Sequence, residues 1–175
     1  MERILRKKLP GGKFAGVDPK RSRMMGKIRS KGNRSTEQLF RLALVRAGIR
    51  GWVLHSKSIL GTPDFYFQRS KIAVFIDGCF WHGCSRCGHI PRTRSAFWRM
   101  KIERNQMRRT RVARELKKLG IKTVRVWEHE LKSGPERAVR QLRKNLDASR
   151  RLRPETVART RGRSRGSGSV RRLAA

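Results

Sequence analysis

The order of apolar segments in this chain predicts an α/β domain. Short runs of β-branched and aromatic residues at 52–55, 65–67, 71–76 and 121–127 alternate with stretches of helical apolar spacing at 35–48, 95–120 and 135–147. A chain of 175 residues suffices for one domain with a real core, plus tails, and is short for two. All three cysteines fall between Cys79 and Cys87, directly after the most apolar run. The chemistry is therefore expected at one end of a sheet.

Taken in order, the first helix is expected over residues 35–48. Ser35-Thr36-Glu37-Gln38 has capping-box spacing, Leu39, Phe40, Leu42, Ala43 and Val45 supply the apolar stripe, and Gly48 stops it. By itself Glu37 reads as a carboxylate in a helical first turn, where the macrodipole favours it. Trp52-Val53-Leu54-His55 follows as a strand, with His55 read as a hydrogen-bonded or solvated histidine. Leu60-Gly61-Thr62-Pro63-Asp64 is a turn into Phe65-Tyr66-Phe67, which can form a hairpin with 71–76 around Gln68-Arg69-Ser70. Lys71-Ile72-Ala73-Val74-Phe75-Ile76 fits a strand buried on both faces, ending at Asp77-Gly78. A long basic helix is expected from about Ser95 to Gly120, a strand at 121–127, and a last helix from Pro135 to about Asp147 with Ala138, Val139, Leu142 and Leu146 on one stripe.

The charge balance points to the partner. With 46 Lys+Arg against 12 Asp+Glu, a net charge of +34 exceeds anything solubility requires and implies a polyanion, nucleic acid first. A membrane is the weaker reading: no apolar segment approaches the roughly 20 residues of a spanning helix, and no apolar signal core follows the basic N-terminus. A cytoplasmic protein is expected. The two ends, rich in Lys and Arg with Gly, Pro or Ser, read as basic arms that neutralise phosphates.

Cys79, Cys84 and Cys87 form a C-x4-C-x2-C cluster that needs one more donor to complete a tetrahedral structural zinc. His129, at the end of the 121–127 strand, is the preferred fourth ligand, and His89 competes by its nearness in sequence. The bland alternative is three reduced, unliganded thiols. If the hairpin forms, Asp64 opens one strand and Asp77 closes the other, so both carboxylates reach one sheet end. With the backbone carbonyl of Ile76 between them they would suit Mg2+, a hard cation that takes a few oxygens and keeps several waters.

Four segments carry a family resemblance: Gly61-Thr62-Pro63-Asp64-Phe65, Val74-Phe75-Ile76-Asp77-Gly78-Cys79-Phe80-Trp81-His82, Thr93-Arg94-Ser95-Ala96-Phe97-Trp98 and Val126-Trp127-Glu128-His129. In order and spacing they resemble the very short patch repair (Vsr) DNA mismatch endonucleases, within the wider restriction-endonuclease-like superfamily. The likeness runs from about Arg21 to about Leu131. It implies a mixed central sheet flanked by helices, a structural zinc, and Mg2+-dependent cleavage of one strand of double-stranded DNA beside a T:G mismatch. By position, Asp64 resembles the metal-binding aspartate, Ile76 the residue lending a backbone carbonyl, His82 the histidine that activates water, and Glu37 the supporting glutamate. Phe80, Trp81 and Trp98 match aromatic residues that wedge into the base stack, although Trp98 alone would read as core. Met24 or Met25 matches a methionine entering from the other groove.

This chain carries Asp77 where those enzymes carry histidine, and His129 where their last zinc ligand is commonly cysteine. An anionic Asp77 beside the scissile phosphate calls for neutralisation, so the expectation is a Mg2+ shared by Asp64 and Asp77. The resulting organisation is a basic arm at 1–20, an endonuclease domain at 21–149 acting as a monomer, and an Arg/Gly/Ser-rich tail at 150–175. A mismatch-repair protein is a conceivable partner. The rival readings are a sequence- or structure-directed nuclease of a restriction or mobile-element system, and a noncatalytic zinc-stabilised nucleic-acid-binding module.

Overall fold

A computed structural model describes residues 34–151, together with Lys20 and Arg23. Apart from Lys20, Arg150 and Arg151, the expected arms lie outside the described residues. A π-helical turn at Arg34–Gln38 leads into α1 (Leu39–Arg46). There follow β1 (Val53–Leu54), β2 (Phe65–Phe67), β3 (Ile72–Asp77), α2 (Ser95–Lys118), β4 (Lys122–Trp127), α3 (Glu128–Ser133) and α4 (Glu136–Arg151). The sheet has four strands in the order β1-β2-β3-β4. β1 and β3 each pair antiparallel with β2, and β3 pairs parallel with β4, so the sheet is mixed as expected.

Period-two alternation assigns the two faces. Phe65, Phe67, Ile72, Val74, Val124 and Val126 point to one side, where they bury Phe40 and Leu44 of α1, Leu131 of α3, and Val139, Leu142 and Leu146 of α4. Tyr66, Ala73 and Phe75 point to the other, against Val112 and Leu116 of α2. β3 is thus covered on both faces, which explains its unbroken apolar run. β1 is shorter than the expected strand: both of its residues are exposed at the sheet edge, and the chain leaves the strand at His55, whose φ is 48°.

The first helix also differs from expectation. Its opening turn is widened to a π-helix, and Glu37 sits in that turn, not in the first turn of a regular α-helix. Such insertions are often found at functional sites, because they re-aim a side chain without breaking the helix.

The turn that delivers Asp64 is pinned by a close approach. Gly61 has φ +82°, and a Cβ there would lie 2.7 Å from Val112 Cγ1 of α2 and 3.3 Å from Phe75. Gly48, equally left-handed at φ +69°, has nothing within 4 Å of the same point. Gly48→Ala should therefore cost only the backbone term, about 1 kcal/mol, whereas Gly61→Ala should cost roughly 2–4 kcal/mol, because overpacking adds to it. Urea unfolding of the two variants checks the difference, and equal losses would show that the approach to Val112 is unimportant.

Candidate active site and metal centre

β2 and β3 end at a cleft of about 440 Å³ whose walls include His55, Asp64, Ile76, Asp77, His82 and the α2 residues Arg108, Arg109 and Val112. Asp64 Oδ2 accepts the backbone N–H of Ile76 at 2.7 Å, which fixes its carboxylate against β3. Burial nevertheless pushes the Asp64 pKa up to about 6; the Ile76 hydrogen bond opposes this and the nearby Glu37 charge adds to it. Glu37 Oε2 lies 3.0 Å from His55 Nε2. Ligand atoms of Glu37, His55 and Asp64 all fall within 4.8 Å of one another, a group that could hold a metal ion. A buried, partly neutralised carboxylate beside a second one is a donor set that a divalent cation would relieve.

Asp77 has a different environment. It is 2% exposed, and its Oδ1 accepts from Arg125 Nη1 at 2.7 Å. Oδ2 lies 3.5 Å from Arg109 Nε, and Oδ1 lies 3.6 Å from His82 Nε2. The sequence expects one metal shared by Asp64 and Asp77, and the two carboxylates have different neighbours. Guanidinium groups neutralise Asp77, and the groups gathered around Asp64 are Glu37 and His55. Burial holds the His82 pKa below the ordinary histidine value; the Asp77 charge opposes this, and Arg125, Arg109 and Arg108 reinforce it. Its Nδ1 is buried without a hydrogen-bond partner.

α2 positions the loop that carries His82. Asn105 Nδ2 donates to the Trp81 carbonyl at 2.8 Å, and Gln106 Nε2 to the His82 carbonyl at 3.0 Å. Phe80 meets Trp81 and Trp98 edge-on, with ring centroids 5.1 and 5.2 Å apart, so the three aromatic candidates form one half-buried group beside the cleft. Met24 and Met25 lie outside the described residues.

The cysteines gather as a second centre. His129 Nδ1 lies 3.2 Å from Cys79 Sγ and 3.5 Å from Cys84 Sγ, and Cys87 Sγ lies 3.8 Å from Cys84 Sγ. A tetrahedral zinc would ask for roughly 3.8 Å between sulfurs and 3.5 Å between sulfur and nitrogen, so the spacing fits an ion at the centre. His89 is exposed and packs on Phe80 instead, 5.6 Å between rings. Cys79 N–H donates to Glu128 at 3.1 Å, tying the cluster to the end of β4. Burial pushes the Cys79 thiol up to about 12, an environment that disfavours a bare thiolate.

Sequence reasoning passed over three residues. His55 gave no signal beyond being a lone histidine. Arg109 is one arginine among many on α2. Arg125 alternates with the buried Val124 and Val126, so the pattern alone would have turned it to solvent.

Comparison with known proteins narrows the reading. A family described as DNA mismatch endonuclease Vsr matches residues 17–89. A type II nicking enzyme of Neisseria meningitidis serogroup A is 41% identical over 134 residues, covering 74% of this chain and 94% of that one. A type II nicking enzyme of Xanthomonas oryzae pv. oryzae is 38% identical over 117 residues, covering 66% and 85%. The DNA mismatch endonuclease Vsr of Escherichia coli is 38% identical over 77 residues, covering 43% and 49%. The class defined by these matches and by the fold is that of the DNA endonucleases. Within that class, the chain belongs to the Vsr family. Among the described residues no helix is long and apolar enough to cross a membrane.

The raised pKa of Asp64 has a consequence for stability. The folded chain holds this proton more tightly than the unfolded one, so its contribution is intact below the unfolded value of 3.8 and is lost as pH rises through about 6. Metal-free Asp64→Asn should therefore be more stable than the parent at pH 8, by roughly 2–3 kcal/mol, and no more stable at pH 3.5. Denaturation at both pH values checks this. A parent more stable than the variant at pH 8 would mean that Asp64 is not strained by burial.

Proposed function

We propose that this protein nicks one strand of double-stranded DNA beside a T:G mismatch, with Mg2+ at Asp64 and zinc at Cys79, Cys84, Cys87 and His129. The observation that carries the reading is the convergence of Asp64, the Ile76 peptide and His82 on one cleft, next to the Phe80, Trp81 and Trp98 rings. Mg2+, when bound, supplies Lewis-acid polarisation of the phosphate and offsets developing charge. Asp64 and the Ile76 carbonyl would hold it, with Glu37 and His55 supporting the carboxylate.

The rest of the chemistry falls to side chains. His82, kept neutral by burial, lines the cleft and takes the proton of the attacking water, while Nε2 faces Asp77. Asp77 orients this imidazole in place of binding metal. Phe80, Trp81 and Trp98 open the base stack, with Met24 or Met25 entering from the opposite groove; stacking on a base is worth about 1–3 kcal/mol. The basic segments 1–20 and 150–175 neutralise phosphates around the 21–149 domain, which acts as a cytoplasmic monomer, alone or with a mismatch-repair protein. A second reading, sequence-directed nicking, has one observation in its favour: the two relatives with the greatest coverage given above are named type II nicking enzymes.

Duplexes labelled on each strand, matched or carrying one T:G pair, separate the two readings. Cleavage of one strand of the mismatched duplex alone, dependent on Mg2+, is expected; equal cleavage of matched sites would favour the second. His82→Ala should slow the chemical step by roughly 10²-fold. The acid limb of the parent rate, at saturating Mg2+, should lie below the ordinary histidine value of about 6.5 and disappear in this variant.

For the zinc centre, protein purified without chelator should contain about one zinc per chain, and Cys84→Ala should lose it with a lower melting temperature. Elemental analysis finding none in the parent would refute the assignment.

A further inference from the structure

Asp77 is met by more positive charge than it needs. Arg125 alone balances its charge: Nη1 donates to Asp77 Oδ1 at 2.7 Å, Nη2 to the Arg109 carbonyl at 3.3 Å, and the guanidinium lies 4.7 Å from the Phe75 ring centroid, while the buried Asp77 Oδ2 has no hydrogen-bond partner. With its side chain 14% exposed, Arg125 is committed to the protein interior. Arg109 is held differently. Its Nε faces Asp77 Oδ2 at the longer distance of 3.5 Å, its guanidinium lies 5.0 Å from the Trp127 ring centroid, and the side chain is 29% exposed where it lines the cleft. Its two Nη groups have no protein partner among the described residues. A guanidinium held beside Asp77 by charge and stacked on one face by Trp127 is largely preorganised, with its Nη groups offered to whatever enters the cleft.

The entering group is chosen by chemistry. One carboxylate against two guanidiniums leaves net positive charge, the forked N–H geometry matches a phosphate, and Asp64 and His82 line the same cleft. We propose that Arg109 is a catalytic residue of this endonuclease, donating from its free Nη edge to a non-bridging oxygen of the scissile phosphate. The proposal rests on the reading of the cleft as the site of phosphodiester cleavage. In the step it assists, the water oxygen bonds to phosphorus and the water proton goes to His82. The P–O bond to the leaving oxygen breaks with its electron pair on that oxygen, which takes a proton from solvent. Arg109 transfers nothing. It meets negative charge that grows on the non-bridging oxygens as the transition state forms.

The test uses the full chain with Mg2+ and zinc, in single turnover at saturating DNA. Arg109→Met, which keeps an apolar stem for Trp127, should slow cleavage by roughly 10²-fold while duplex affinity changes by less than about threefold. Arg109→Lys, a point charge without the fork, should fall between the two. Substrates with a single sulfur in place of either non-bridging oxygen at the scissile phosphate provide the reading that a merely structural role would not move. The parent should discriminate between the two sulfur isomers, and the ratio should collapse in Arg109→Met. Cleavage by Arg109→Met at the parent rate would overturn the proposal, as would a slower rate with the isomer ratio unchanged. If Arg109→Met does not fold, the isomer ratio of Arg109→Lys decides in the same way. A parent that leaves every duplex intact overturns the cleavage reading itself, and the proposal with it.

Discussion

Parallel pairing of β3 with β4 is the constraint on which the rest of this structure depends. Its register runs from Ile72 opposite Lys122 to Asp77 opposite Trp127, so the two strands stop at the same level. Whatever follows each strand must then meet. Cys79 follows β3 and His129 follows β4, and the two reach 3.2 Å across a sequence separation of 50. Parallel strands require a crossover, and α2 supplies it on the face that carries Ala73, Phe75 and Asp77. One stripe of that helix runs from Asn105, which holds the Trp81 carbonyl, through Arg109 beside Asp77, to the buried Val112 and Leu116. The same packed surface therefore anchors the core and aims the site.

Two carboxylates at one sheet end have opposite fates because their lateral neighbours differ. Asp77 closes β3, whose neighbour β4 presents Arg125, and a buried ion pair of this kind is held by the cost of leaving either charge alone. Asp64 stands just before β2, on the side where β1 ends at His55, and it receives a backbone N–H and a second carboxylate in place of a guanidinium. Burial, with the Glu37 charge adding to it, raises its pKa to about 6 against the lowering effect of the Ile76 hydrogen bond. The hydrogen bond to Asp64 comes from the Ile76 N–H and not from a guanidinium. A cation permanently paired there would compete with a metal, whereas at Asp77 it removes the repulsion that an anion would exert on incoming phosphate.

Segment type and order were legible in the sequence because apolar period and turn residues are local signals. The hairpin, the long basic helix and the three-cysteine cluster followed from spacing, with His129 preferred over His89 as the fourth donor, and the family motifs supplied the mixed sheet. The allocation of charge did not follow. Nothing local tells whether Asp77 faces a metal or an arginine, since the answer sits 48 residues away on the neighbouring strand. His55 escaped for a related reason: its role arises from a φ of 48° at a strand end and from a widened turn that brings Glu37 to it. Arg109 could not be told from the arginines around it, because what sets it apart is the Trp127 ring under its guanidinium.

The cysteine centre takes its place in this logic as a substitute for core. Neither hydrophobic cluster includes a residue of the 79–89 loop, so apolar burial does little to hold the segment that carries Phe80, Trp81 and His82. Two hydrogen bonds from α2 fix its middle, and the cysteine–histidine group fixes it to the end of β4. Ligand bonds are directional and short, which suits a loop that must be placed accurately while its aromatic rings stay accessible. Burying those rings to gain the same rigidity would remove them from the surface. An ion in the centre would add order where the hydrophobic effect cannot be used, three residues from His82.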